Sequence, residues 1–522
     1  MAWIQHLVYF LVFSFGLLLT QLLRLKYSPR DAVWAKLDAV GASPQHSPPL
    51  FVRGVISSIL STQKFANEGY RKFSKALDRA YALPTPWVRG STVMVLPPSQ
   101  ISLLTRPDRT DGGEWTNMLG LIETAQLPHV IDDPNVYQNL IHFEVVRRKM
   151  AHKDMSRLAP ETADEIDQAF SDIWGTKTEW STVNGWVACG QVISRAAQRI
   201  LVGLPESRDK RMLETSRHYA NALLVGGAII NCFPPAVRWL VAPVITIRAR
   251  YYQARYVKIM RPLIEERIRQ WEADKEGGPD DFLQWMIPMC AKDPDQLDAT
   301  RIALRLASLV IPLIFAICYM FAHCVFDIHG SPCRVEVLAG LEEECRRVSA
   351  QHPSLNTSVS VDALVRVDST LRESMRISDV SVTNIFRDVT AGEVEVVGGL
   401  RVGPGVRMVF PTQDIHLDPD NYEDPRRFDA FRFSRPFEDS NDHKKEGRQD
   451  FITTTTPSFL PFSYGRHACP GRWFAAQLMK QALAYIVLNY DVELVGPQKK
   501  RKALLNMMLP PVGTQIRIRR KV

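Results

Sequence analysis

The stretch Phe462-Ser463-Tyr464-Gly465-Arg466-His467-Ala468-Cys469-Pro470-Gly471 decides how the rest of this chain reads. A cysteine sits between glycines, and the run WFAAQLMKQALAYIVL (473–488) follows at once. That run predicts an amphipathic helix over about 471–488. A thiol just ahead of a helix N-terminus meets the positive end of the dipole and N–H groups with no partner inside the helix. Both favour thiolate over thiol. The glycines permit a tight loop that brings backbone close to a flat ligand. A thiolate presented this way suits an axial ligand of haem iron, where it pushes electron density toward O–O cleavage.

The loop resembles the signature of the cytochrome P450 superfamily, F-x-x-G-x-R/H-x-C-x-G, through Phe462, Gly465, His467, Cys469 and Gly471. His467 stands where many members have Arg and filamentous-fungal members often have His; in those relatives it contacts a haem propionate. Two upstream motifs carry the same resemblance in the same order. Leu371–Arg376 (LRESMR) holds E-x-x-R, and residues three apart share a helix face. Pro425–Phe433 (PRRFDAFRF) resembles P-x-x-F-x-x-x-R-F. Arg432 is thereby expected to complete a Glu373–Arg376–Arg432 charge network supporting the haem-side core. Arg387, 11 residues after Arg376, matches a family Arg that binds a propionate. The segment YQNLIHFEVVRRKM (137–150), with His142 and Arg147, looks like the helix crossing the propionate edge; either Arg147 or Arg148 serves there. The loop Val380–Ile385 is expected to line the pocket above the iron.

The resemblance covers nearly the whole chain. It implies a mainly α fold with small β-sheets, haem as cofactor and Cys469 as its iron ligand. It also implies a monooxygenase that takes electrons from NADPH-cytochrome P450 reductase and oxidises a hydrophobic small molecule. The fungal flavour of GRHACPGRW (465–473) points to terpenoid, polyketide or alkaloid-like secondary-metabolite biosynthesis.

The sequence departs from the family in one place. Ala299–Ile328 resembles the long helix that passes over the haem, and Ala322-His323 and Phe326-Asp327-Ile328 match its later part in fungal relatives. Counting back puts Phe315-Ala316-Ile317 where an acid or His and two Thr are expected. Residues 309–317 contain no Thr, Ser, Asp or Glu. Ala316 thus takes the place of the Thr that orders a proton-delivering water, and an apolar helix lacks a general-acid relay. Three explanations stay open. A substrate hydroxyl or carboxyl supplies the relay; another pocket group does so, such as Ser381, Thr383 or Asn384; or the enzyme is a haem-thiolate isomerase that needs no dioxygen.

The remaining sequence frames this reading. Residues Ala2–Leu23 carry no Lys, Arg, Asp or Glu and span about 33 Å as a helix, enough to cross a bilayer core. Arg24, Lys26 and Arg30 follow, which predicts a single-pass anchor with the bulk on the cytosolic side of the endoplasmic reticulum. A linker is expected over 24–54 and one catalytic domain over 55–522. Leu306–Ala322 is nearly as apolar but holds Pro312 and is short for a span, so a helix buried in the core is expected. The composition (46% hydrophobic, 23% charged) excludes a disordered chain. Lys+Arg 64 against Asp+Glu 56 gives +8, a mild bias with no basic run interleaved with aromatics, so no nucleic-acid partner is expected. The 8 cysteines form no CxxC pair and are read as reduced thiols, Cys469 being set apart by its role.

Overall fold

The computed structural model describes residues 32–522 apart from 44–46, 87–90, 106–108, 111–112, 117–125, 234, 353–354, 439–449 and 499–500. The expected anchor, Ala2–Leu23, lies outside the described residues. Helices dominate and pack around one large apolar core; a sheet-rich lobe holds two smaller core clusters.

The lobe is built on a seven-stranded sheet in the order Asp38–Ala39, Tyr81–Pro84, Thr92–Val95, Arg407–Phe410, Asn384–Ala391, Gly113–Thr116, Arg109–Thr110. The valine- and glycine-rich texture of 378–412 predicts short strands, and the strands Asn384–Ala391, Val394–Val396, Leu400–Val402 and Arg407–Phe410 are there. A three-stranded sheet joins Tyr490–Leu494 to Gln515–Arg520, as expected near the C-terminus, and adds Ser181–Asn184.

Several expected helices are cut differently. The stretch read as linker already contains the short helix Ala32–Lys36 and a strand paired with Tyr81–Ala82, with Val33 and Trp34 buried. Pro48 and Pro49 open the helix Pro48–Gly69 instead of stopping one; proline costs nothing in a first turn, where its missing N–H has no partner anyway. The helical pattern of 137–158 predicts one helix, and the structure divides it among Asn135–Gln138, Ile141–Lys149 and Met155–Ile173. The pattern of 244–275 likewise predicts one helix, and the structure has Pro235–Ile245 and Ile247–Ala273 there. Asp281 caps Phe282–Cys290 as its position suggests, accepting from the Gln284 N–H at 2.8 Å.

The central helix matters most. It runs as Ala299–Val310, a wide π-helical stretch Ile311–Ala316, and Ile317–Gly330. Pro312 lies in the wide stretch. It has no N–H to give, and its ring crowds the carbonyl four residues back, so a regular α-turn is disfavoured there. The helix is long and apolar enough to cross a membrane, yet Leu309, Val310 and Ile317–Ile328 are buried in the body of the molecule. That agrees with the expected core helix.

Candidate active site

The cysteine loop is fixed by backbone. The Cys469 N–H donates to the Phe462 carbonyl at 2.8 Å, and the Ala468 N–H to Gly465 at 3.1 Å. Phe462 is buried, while Cys469 and His467 are half-buried. Gly465 has φ +72°, and a Cβ there would lie 2.4 Å from the Leu104 carbonyl oxygen. Glycine is therefore required at this position by the chain's packing against itself. At Gly471 the nearest protein atom to a Cβ would be on Val146, at 3.8 Å.

The helix Arg472–Asn489 starts just past the cysteine, as expected. Burial is the largest influence on the Cys469 thiol and pushes its pKa up. The Gly471 and Arg472 N–H groups and the Arg472 charge pull it down without winning. The sequence reading foresaw the opposing half alone. All 8 cysteines are free thiols.

The charge network forms. Glu373 and Arg376 are fully buried and bidentate, with both N–O distances 2.8 Å. Arg432 Nε reaches Glu373 Oε2 at 3.2 Å, and the Asp429 N–H reaches Oε1 at 3.1 Å. Arg376 also donates to the carbonyls of His416 and Pro425, at 2.6 and 2.8 Å, and lies over the Tyr422 ring. The helix that carries Glu373 and Arg376, Val365–Ile377, is held at its start by Glu344, whose carboxylate accepts from the N–H groups of Val365, Arg366 and Val367 at 2.8–2.9 Å. Nothing in the sequence near Glu344 signals that role.

The expected propionate-side residues lie on separate elements. Arg387 is buried on Asn384–Ala391, opposite Met408, and donates to the Phe386 carbonyl at 2.8 Å. Arg147 and Arg148 are exposed in the last turn of Ile141–Lys149. Arg148 is held by Glu144 at 2.6 Å, whereas Arg147 pairs with no described residue. His142 is buried, and burial lowers its pKa to about 3, so the ring is neutral at pH 7.

On the wide stretch, Ile311, Leu313, Phe315 and Ala316 are partly exposed although residues on both sides of it are buried. Among the three relay candidates, Thr383 is engaged: its hydroxyl and N–H both donate to Asn506 Oδ1, at 2.9 Å each. The Asn384 Oδ1 accepts from the Ile385 N–H at 2.8 Å, and Ile385 has φ +61°, a strained value for a β-branched residue. The Ser381 hydroxyl is buried and has no partner among the described residues.

This donor set fits a haem. One soft ligand stands at a helix N-terminus, an apolar wide turn lies on the central helix, and an exposed cation with no partner among the described residues, Arg147, is available for a carboxylate.

Comparison with known proteins agrees. The sequence model described as Cytochrome P450 matches residues 191–518. The chain is 32% identical to the cytochrome P450 monooxygenase gloP of Glarea lozoyensis, over 98% of this chain and 96% of that protein. It is 33% identical to the cytochrome P450 monooxygenase htyF of Aspergillus rugulosus, over 88% of this chain and 69% of that protein. It is 27% identical to the cytochrome P450 monooxygenase pbrC of Penicillium brasilianum, over 69% of each chain.

Proposed function

The chain belongs to the cytochrome P450 family, as a haem-dependent monooxygenase, and from that premise we propose that Cys469 is the iron ligand and that the enzyme oxidises a hydrophobic small molecule in secondary-metabolite biosynthesis. Haem, once bound, supplies dioxygen activation. The overall reaction puts one oxygen atom into the substrate and reduces the other to water, using two electrons from NADPH and two protons.

The chain's own residues do the rest. The Gly471 and Arg472 N–H groups stabilise charge on the Cys469 sulfur. Gly465 and Phe462 hold the loop. His467, Arg387 and Arg147 bind the cofactor's carboxylates; Arg148 already has a partner in Glu144, at 2.6 Å. The Glu373–Arg376–Arg432 network stiffens the wall behind the loop. The apolar wide turn with Ala316 excludes water from the reacting face.

The observation that carries this reading is the cysteine loop joined to the charge network. Fungal relatives named as monooxygenases support the oxidation of a small molecule. An NADPH-dependent reductase is the electron source, and the exposed Arg148 and Lys149 offer it a basic docking edge. A membrane anchor at Ala2–Leu23 in the endoplasmic reticulum, with 55–522 facing the cytosol, completes the proposal. It is supported by Trp239, Leu240, Val244 and Ile247, which are 62–71% exposed on adjoining helices.

Ala316 alone favours the isomerase alternative. One experiment separates the two. The metabolite that accumulates when the gene is deleted is given to the purified enzyme with reductase and NADPH. The monooxygenase reading expects a product that gains oxygen from isotopically labelled dioxygen. Product formed at full rate without dioxygen or reductase would reject it.

A further inference from the structure

Oxygen activation needs protons, and Ala316 and its neighbours have none to give. One turn beyond, the same helix carries what the wide stretch lacks. Ala316, Tyr319, His323 and Asp327 are spaced three, four and four residues apart and so follow one stripe of the helix. Tyr319 and His323 are buried, with ring centroids 4.5 Å apart. The His323 Nε2 is buried with no partner among the described residues. Asp327 accepts from the Ser374 and Ser378 hydroxyls at 2.7 and 2.8 Å and from Gln498 at 2.8 Å. Gln498 is exposed, so the stripe ends at solvent.

We propose that Tyr319, His323 and Asp327 form the proton supply of this enzyme, in place of the side chain that Ala316 lacks. The proposal rests on the reading of this helix as the roof of the haem site.

Three features suit the stripe to the task. The Tyr319 hydroxyl donates a long bond, 3.4 Å, to the Asp379 carbonyl and is also hydrogen-bonded by Arg501. Asp379 directly precedes the pocket loop Val380–Ile385, and Tyr319 shares an apolar cluster with Phe315, Val380 and Val382. The half-buried Arg501 lies by all three groups: its charge acts on the phenol, the imidazole and the carboxyl. Arg501 is itself held by the carbonyls of Ile377 and Asp379.

Burial pushes the Tyr319 pKa up to about 12 and the His323 pKa down to about 3. Both are neutral at pH 7, the state in which a hydroxyl and an imidazole can each take one proton while giving another. The phenol gives its proton toward the pocket and regains one from the His323 imidazole, whose unpartnered Nε2 takes another through water from the Asp327 end. Each proton lost is replaced by solvent water reaching the Asp327 carboxyl beside the exposed Gln498, whose amide passes no proton itself, and no charge is left behind.

The test uses full-length haem-loaded enzyme, NADPH-dependent reductase and air-saturated buffer, with no substrate added. NADPH consumed and hydrogen peroxide released are both measured. Reducing dioxygen to peroxide takes one NADPH; carrying it on to two waters takes a second and depends on prompt proton delivery. Tyr319→Phe and His323→Gln are each expected to raise peroxide per NADPH about twofold or more. The carbon monoxide spectrum and haem content should match wild type. Adding Ala316→Thr to Tyr319→Phe should restore the wild-type ratio, which a merely structural defect would not allow. His323→Gln carries the test if Tyr319→Phe folds poorly. An unchanged peroxide ratio in the folded variants would overturn the proposal. A wild-type protein with no thiolate-haem spectrum would instead point to failure of the haem-site assignment itself.

Discussion

Gly465 shows how much a single position in the cysteine loop carries. Its φ of +72° alone costs a substituted residue roughly 1–2 kcal/mol, and a Cβ would strike the Leu104 carbonyl. Gly465→Ala should therefore lower haem loading sharply, read as haem absorbance per protein. Loading equal to wild type would contradict that role. Asp414 gives a second residue-scale test. Burial pushes its pKa up to about 7, against smaller opposing effects of the Asn67 hydrogen bond and Arg426. The folded state then holds a proton that the unfolded state has lost, so stability falls as pH rises from about 4 to about 7. A shift of ~3 units corresponds to ~4 kcal/mol at most. Asp414→Asn should raise the melting temperature at pH 8 and leave it nearly unchanged at pH 4; a gain of equal size at both would show that ionisation is not the cause. The cysteine's chemistry was legible because every part of it lies within ten residues. The need for glycine at 465 was not, because Leu104 is remote in sequence.

At the scale of elements, the long periodic helices were legible from their apolar stripes, and their breaks were not. The division at Asn139–Leu140 carries no proline or glycine to announce it, and at Thr246 the nearby Pro243 lies inside the preceding helix and does not mark the break itself. Pro312 was visible, but whether a proline ends, kinks or widens a helix depends on the packing around it. Pro48 and Pro49 make the same point by starting one. The helix Pro235–Ile245 supplies the prediction at this scale. Deleting residues 1–23 should release the protein from membranes only partly, because Trp239, Leu240 and Val244 remain exposed. Adding Trp239→Ser, Leu240→Ser and Val244→Ser to that deletion should move most of the protein to the soluble fraction after a high-salt wash. If the anchor deletion alone made it fully soluble, the helix would have no part in lipid contact.

Across the whole molecule, the Glu373–Arg376–Arg432 network joins segments far apart in sequence. Its members could be named from motif spacing, but the acceptor carbonyls of His416 and Pro425 and the Glu344 cap could not, since any residue can offer a carbonyl and Glu344 belongs to no motif. Removing one partner of a buried pair strands a charge at roughly 3–5 kcal/mol, a large share of a domain's ~5–15 kcal/mol. Glu373→Ala and Arg376→Ala should each yield little haem-loaded protein, and an apolar double replacement should yield more than either. Normal loading in both single variants would place the pair outside the core. The buried stripe beyond Ala316 was hidden for a related reason: its partners Gln498 and Arg501 come from the end of the chain.

The account depends most on Cys469 as the iron ligand. The direct measurement is the difference spectrum of the reduced protein with carbon monoxide, taken for wild type, Cys469→Ala and Cys469→His. The account predicts the strongly red-shifted band of a thiolate-ligated haem in wild type, its complete loss in Cys469→Ala, and the ordinary band of a nitrogen-ligated haem wherever Cys469→His retains cofactor. A wild-type band surviving in Cys469→Ala would contradict it.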